Sequence, residues 1–127
     1  MTQEKISGVL TALITPFTET GKVDFDSFAK LLNHQIENGI DGFIVNGTTA
    51  ESPNLYRGEI EKLFDATKKI AGSRPIVVGT GSNSTTKTIE ATKWAGEIGA
   101  DAALVVVPYY NKPTQEGLVE HLSLIHI

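Results

Sequence analysis

The chain has 127 residues, 40% of them hydrophobic and 20% charged, the size and balance of one ordinary soluble domain. Its net charge of −4, without any basic run, argues against a nucleic-acid partner. The absence of cysteine removes disulfides and thiolate metal sites and fits a reducing cytoplasm; the start, MTQEKISGVL, has no apolar core of signal-peptide length, and no apolar run approaches a bilayer span, about 20 residues.

In chain order, the first apolar run is GVLTALIT (Gly8 to Thr15), closed by Pro16. Phe25, Phe28, Leu31, Leu32 and Ile36 follow at helical spacing, with Asp24 or Asp26 available as N-cap and Gly39 as stop. A second run, DGFIV (Asp41 to Val45), leads into NGTTAES (Asn46 to Ser52). Ile60, Leu63, Phe64, Thr67 and Ile70 predict a helix ending near Gly72. The third run is PIVVGT (Pro75 to Thr80). After it, Ile89, Thr92, Trp94, Ala95 and Ile98 predict a helix capped by Ser84 or Thr85 and stopped at Gly99. The fourth run, DAALVVV (Asp101 to Val107), is closed by Pro108, and a last helix is predicted to begin between Thr114 and Gly117 and to run through Leu118 and Leu122.

Each apolar run is strand-length and rich in Val and Ile without polar alternation, as in strands buried on both faces. Strand and helix alternate four times with a period of about 30 residues, the length of a βαβ unit. The class is therefore α/β, with either a doubly wound open sheet or a (β/α)8 barrel in view. In both, chemistry gathers where strands end. Every strand here ends in a polar loop: Thr15-Pro16, NGTTAES, GTGSNS (Gly79 to Ser84) and PYYNKP (Pro108 to Pro113). Four such loops suit one circular mouth better than a crevice in an open sheet.

GTGSN lacks the third Gly of a dinucleotide fingerprint, since position 84 is Ser, and no Gly-Lys-Ser/Thr follows. It reads more simply as a tight turn into a capped helix. The hydroxyls and N–H groups of NGTTAES can cradle a small carboxylate, or can form a Thr-rich turn and nothing more. Tyr109 and Tyr110 point to opposite sides if the chain there is extended, so that one phenol can relay protons, or both rings can pack at an interface. His34, His121 and His126 have no metal-site spacing and read as surface or packing histidines.

Four stretches in order, LTALITPF, NGTTAES, VVGTGSNST and VVVPYYNKPTQEGL, resemble the N-terminal half of the dihydrodipicolinate synthase family, from about Gly8 to His121. The wider superfamily, with N-acetylneuraminate lyase and keto-deoxy sugar acid aldolases, shares a loop like NGTTAES, and PYYNKP points to the synthase branch. The resemblance implies the first four βα units of a (β/α)8 TIM barrel, a truncated half barrel, since a whole one needs about 250 residues. It implies a cytoplasmic class I aldolase of lysine (diaminopimelate) biosynthesis that needs no cofactor or metal. Such an enzyme forms a Schiff base with pyruvate and condenses it with aspartate semialdehyde, and works as a homo-oligomer, a dimer or tetramer. Thr49 would hold the pyruvate carboxylate, Thr48 and Tyr110 would share a catalytic proton relay, with Tyr110 reaching into a neighbouring subunit, and Tyr109 would lie at that interface. None of the lysines present matches the family's Schiff-base lysine, so this stretch alone is expected to be inactive.

Two departures carry expectations. Ala50 stands where the family usually has Gly, which predicts a slightly altered turn if φ is positive there. Lysine-inhibited members carry two histidines and a glutamate where this chain has Arg57, Ile60 and Lys87, which predicts weak or absent lysine inhibition. The ending LSLIHI (Leu122 to Ile127) matches the translation of a transposon end used as a sequencing adapter, so residues 1–121 are read as the half barrel and 122–127 as a non-native tail. The alternatives are another pyruvate-dependent lyase of the superfamily or a non-catalytic α/β anion-binding module.

Overall fold

The computed structural model describes residues 6–127. Four strands, β1 (Leu10–Ala12), β2 (Gly42–Val45), β3 (Ile76–Gly79) and β4 (Ala102–Leu104), form one parallel sheet in the order β1-β2-β3-β4. Each is followed by a helix: α1 (Phe25–Glu37), α2 (Arg57–Ala71), α3 (Thr85–Glu97) and α4 (Gln115–His126). A doubly wound sheet reverses its strand order at a switch point, whereas a barrel wall adds each strand beside the last. The uninterrupted order is that of a barrel wall, and it settles the choice that periodicity left open.

The helices begin where local chemistry directs. Asp24, not Asp26, caps α1: its carboxylate accepts from Ser27 N at 3.0 Å and from Ser27 Oγ at 2.7 Å. Those hydrogen bonds to Ser27, the backbone one foremost, hold the Asp24 carboxyl below its ordinary pKa. Ser84 caps α3 by accepting from Lys87 N at 3.4 Å, and Thr114 caps α4 by accepting from Gly117 N at 3.1 Å. At the start of α2, Glu59 reaches back to Tyr56 N at 2.9 Å. Residues 122–126 continue α4, with His126 Nδ1 2.8 Å from the Leu122 carbonyl.

One face of the sheet carries Leu13, Phe43, Val45, Ile76 and Val78, packed against Phe28 and Leu32 of α1, Leu63 and Phe64 of α2 and Ala95 of α3. Phe28, Phe43, Phe64, Leu32 and Val78 are 0–1% exposed, so the core sits between sheet and helices. Thr67 enters it with its hydroxyl donated back to the Leu63 carbonyl at 2.8 Å. His121 of α4 is also buried, with Nδ1 2.8 Å from Thr85 Oγ1, a packing histidine that ties α4 to the first turn of α3.

The expectation of four strands buried on both faces holds for β2 and β3 alone. β1 and β4 are half-buried or exposed, because each has a strand neighbour on one side only. Pairing also stops short of the full apolar runs at Gly8–Thr15 and Asp101–Val107. The opposite face of the sheet carries the register row Ala12–Ile44–Val77–Ala102 and, two residues along β4, Leu104. Among the described residues no helix covers it, and Leu104 and Val106 are 45% and 41% exposed. Water-exposed apolar rows and unpaired strand edges drive association. The purified 127-residue chain is therefore expected to enhance the fluorescence of a hydrophobic dye under native conditions and to sediment above the monomer mass. A monomeric, dye-silent, cooperatively melting protein would contradict this.

Candidate active site

The loops that follow β1, β2, β3 and β4 meet at one rim. Thr15, buried at the end of the first apolar run, donates its hydroxyl to the Ala50 carbonyl at 2.8 Å and so anchors the loop after β2. In that loop Asn46 turns into the left-handed region (φ 59) and Thr48–Ala50 form a single 3-10 turn. The turn is closed by Ala50 N to Gly47 O at 3.1 Å and Glu51 N to Thr48 O at 3.0 Å. Glu51 then takes φ 58. The positive φ values thus fall on Asn46 and Glu51. Ala50, 2% exposed, has none, and the expected disturbance from a missing glycine does not arise there. The Ala50 methyl packs inward instead.

Thr48 and Thr49 are both exposed, and among the described residues their hydroxyls make no hydrogen bond. A small recess of about 30 Å³ lies beside Thr48, walled by Asn46, Gly47, Gly81, Leu104 and Val106. Thr49 is not among the residues that wall it.

The β2 and β3 loops are locked together at close range. Asn46 Nδ2 donates to the Gly79 carbonyl at 2.8 Å. A Cβ at Gly79 would overlap the Asn46 carbonyl oxygen, and one at Gly81 would overlap Val106 N. Thr80 N donates to Leu104 O at 3.0 Å, which carries the contact on to the fourth strand, and Thr80 Oγ1 lies 2.8 Å from Thr92 Oγ1 of α3. The fourth loop is tied back by Asn111 Nδ2 to the Asn83 carbonyl at 3.1 Å.

Tyr109 is 48% exposed and lines a larger recess with Asn46, Ser52 and Trp94. Tyr110 is 93% exposed and takes φ 70, a left-handed conformation that costs a bulky residue on the order of 1–2 kcal/mol. Its phenol has no hydrogen-bond partner among the described residues. The chain therefore brings the NGTTAES and GTGSNS loops into contact but does not itself join Tyr110 to Thr48. The alternation expected from an extended PYYNKP segment is replaced by a kink, since Lys112 also has φ 44.

Sequence reasoning passed over Asn46. Its signal was present: Asn is among the few non-glycine residues that tolerate φ > 0, and it stands directly after a buried strand. The roles of Arg57 and Trp94 as neighbours were not visible at all, because they sit on different helices.

The model of the dihydrodipicolinate synthetase family matches residues 5–126. The chain is 58% identical over 118 residues to a 4-hydroxy-tetrahydrodipicolinate synthase from Prochlorococcus marinus (strain MIT 9515), covering 92% of this chain and 39% of that one. It is 51% identical to the same-named protein of Bdellovibrio bacteriovorus, over 96% of this chain and 42% of that one. Among solved structures, the chloride-inhibited dihydrodipicolinate synthase of Acinetobacter baumannii, complexed with pyruvate, superposes with a TM-score of 0.91 at 45% identity, covering 96% of this chain and 42% of that one. The Thermotoga maritima synthase gives 0.89 at 49%, over 93% and 40%. The chain spans about two-fifths of the length of these relatives. A match running through all four βα units, at this identity, with the rim loops intact, means that the chain belongs to the dihydrodipicolinate synthetase family.

Proposed function

We propose that this chain forms the first half of a (β/α)8 class I aldolase that condenses pyruvate with aspartate semialdehyde to give 4-hydroxy-tetrahydrodipicolinate on the route to lysine. The observation that carries the reading is the Thr48–Thr49 pair: two exposed hydroxyls without partners at the end of a buried strand, in a chain that superposes on a synthase complexed with pyruvate. Thr49 binds the pyruvate carboxylate. An amine nucleophile adds to the keto carbon, and the resulting hydroxyl must be protonated to leave as water. Thr48 and Tyr110 pass that proton, and then take one from the adjacent methyl carbon so that it can attack the aldehyde. Tyr110, unpartnered in its own chain, completes the relay of a neighbouring subunit, and Tyr109 packs at that contact, in a dimer or tetramer. No cofactor or metal takes part. The enzyme works in the cytoplasm, which is compatible with the lack of cysteine and with there being, among the described residues, no helix long and apolar enough to cross a membrane.

The amine comes from a lysine outside these 127 residues, so the chain alone is inactive. Borohydride reduction in the presence of pyruvate tests the assignment by mass spectrometry. A longer gene product is expected to gain one reduced pyruvyl adduct and the 127-residue chain none. An adduct on the short chain would overturn the placement of the nucleophile, and none on the long one would leave an anion-binding module in place of an aldolase.

A further inference from the structure

We propose that Asn46 is a positioning residue: its amide clasp on the Gly79 carbonyl sets where Thr48 and Thr49 stand, and through them the rate of the reaction those hydroxyls serve. The proposal rests on the aldolase reading for the chemistry, while the placement is a matter of loop geometry alone.

Three features meet at Asn46. Its backbone is left-handed, with φ 59, at the point where the chain leaves β2. Its Nδ2 donates to the Gly79 carbonyl at 2.8 Å, across a sequence separation of 33 residues. Its Oδ1 is buried and has no hydrogen-bond partner among the described residues. Glycine would take the same φ without strain at Cβ and would leave no buried acceptor behind. One neutral hydrogen bond returns no more than a buried, unpaired polar atom costs, so stability does not account for this side chain. A local cost held at one residue, beside groups with chemistry to perform, points to function.

The chain shows what the clasp fixes. Only Gly47 separates Asn46 from Thr48, the first residue of the 3-10 turn. The far end of that turn is anchored by Thr15 Oγ1, which donates to the Ala50 carbonyl at 2.8 Å. Asn46 and Thr15 thus hold the two ends of the segment 46–50 that carries both threonines. Nothing crowds Gly47 between them, since a Cβ built there would meet Ile44 and Leu104 only at 3.6 and 3.8 Å. Without the amide, the segment keeps its Thr15 anchor and has room to swing at the other end. A displacement of about 1 Å in a reacting group costs on the order of a hundredfold in rate.

In the longer gene product, Asn46→Gly is expected to melt no lower than the parent and yet to lose kcat by roughly ten- to a hundredfold. A role in stability alone would move the two together. Asn46→Asp keeps the size of the side chain and its tolerance of φ > 0 but sets a carboxylate oxygen against the Gly79 carbonyl, so it should lose kcat as well. Lowering the pH should bring its kcat back toward the parent's at the same pH, because a protonated carboxyl donates to that carbonyl again. Hydrogen exchange reads the placement without reference to activity. The amides of Ala50 and Glu51, bonded to the Gly47 and Thr48 carbonyls, should exchange faster in Asn46→Gly than in the parent. If the parent forms no borohydride adduct with pyruvate, the aldolase reading has failed, and the exchange rates alone decide whether Asn46 places the loop. Asn46→Gly with kcat within threefold of the parent's, with a fall in melting temperature to match its fall in kcat, or with unchanged exchange at Ala50 and Glu51 would overturn the proposal.

Discussion

Gly79→Ala is expected to destabilise the fold by about 3 kcal/mol or more, the upper end of the cost of overpacking a well-packed site. The methyl would overlap the Asn46 carbonyl oxygen, with the Asn46 carbonyl carbon at 2.6 Å and Gly47 N at 3.1 Å. All three are backbone atoms, so no side-chain rotation relieves the clash. The loops must separate, which breaks the Asn46 Nδ2 bond to the Gly79 carbonyl and moves the turn that carries Thr48 and Thr49. Urea unfolding of a longer gene product that closes the barrel, followed by far-UV circular dichroism, measures the effect against the same product with Gly79 intact. With m near 1–3 kcal/mol per molar, the midpoint should fall by roughly 1 M or more. Gly96→Ala is the internal contrast. It lies in α3 with nothing within 4 Å of the added methyl, and is expected to gain up to about 1 kcal/mol from helix propensity. Equal midpoints for Gly79→Ala and the parent chain would mean that the two loops are not held in this contact.

Tyr110→Phe and Thr48→Val, made in a longer gene product that condenses pyruvate, are each expected to lower kcat by about 10²–10⁴-fold, the range for losing a positioned proton-transfer group. Both changes keep the bulk of the side chain and delete only a hydroxyl. Tyr110 is 93% exposed within its own chain, so its removal should not disturb this half of the core. If the two hydroxyls act in one relay, the double variant should be little worse than either single one, as for residues that work as a unit. Thr49→Val, on the proposed carboxylate contact, should act mainly by raising KM for pyruvate. A Tyr110→Phe enzyme retaining turnover within threefold of the parent would remove Tyr110 from the relay.

Much of this architecture was legible one element at a time. The capping residues Asp24, Ser84 and Thr114 all stand within reach of their positions in the sequence, and the apolar spacing of α1 and α2 matches the faces they bury. Caps and helical periodicity are local, set by residues within one or two turns, so they survive reading without coordinates. The same holds for the chemistry on offer at each strand end, because loop content is written in consecutive residues.

What sequence alone determined is the alternation of four strands with four helices, the starts of α1, α3 and α4, and the hydroxyl and phenol content of the rim. What tertiary structure decided is contact between elements: the uninterrupted strand order, the partial burial of β1 and β4, the kink at Tyr110, the burial of His121 against Thr85, and the clasp of Asn46 on Gly79. These arise from groups dozens of residues apart in the chain. Their meeting depends on how strands stack in register and helices pack over them, and no spacing along the chain encodes it.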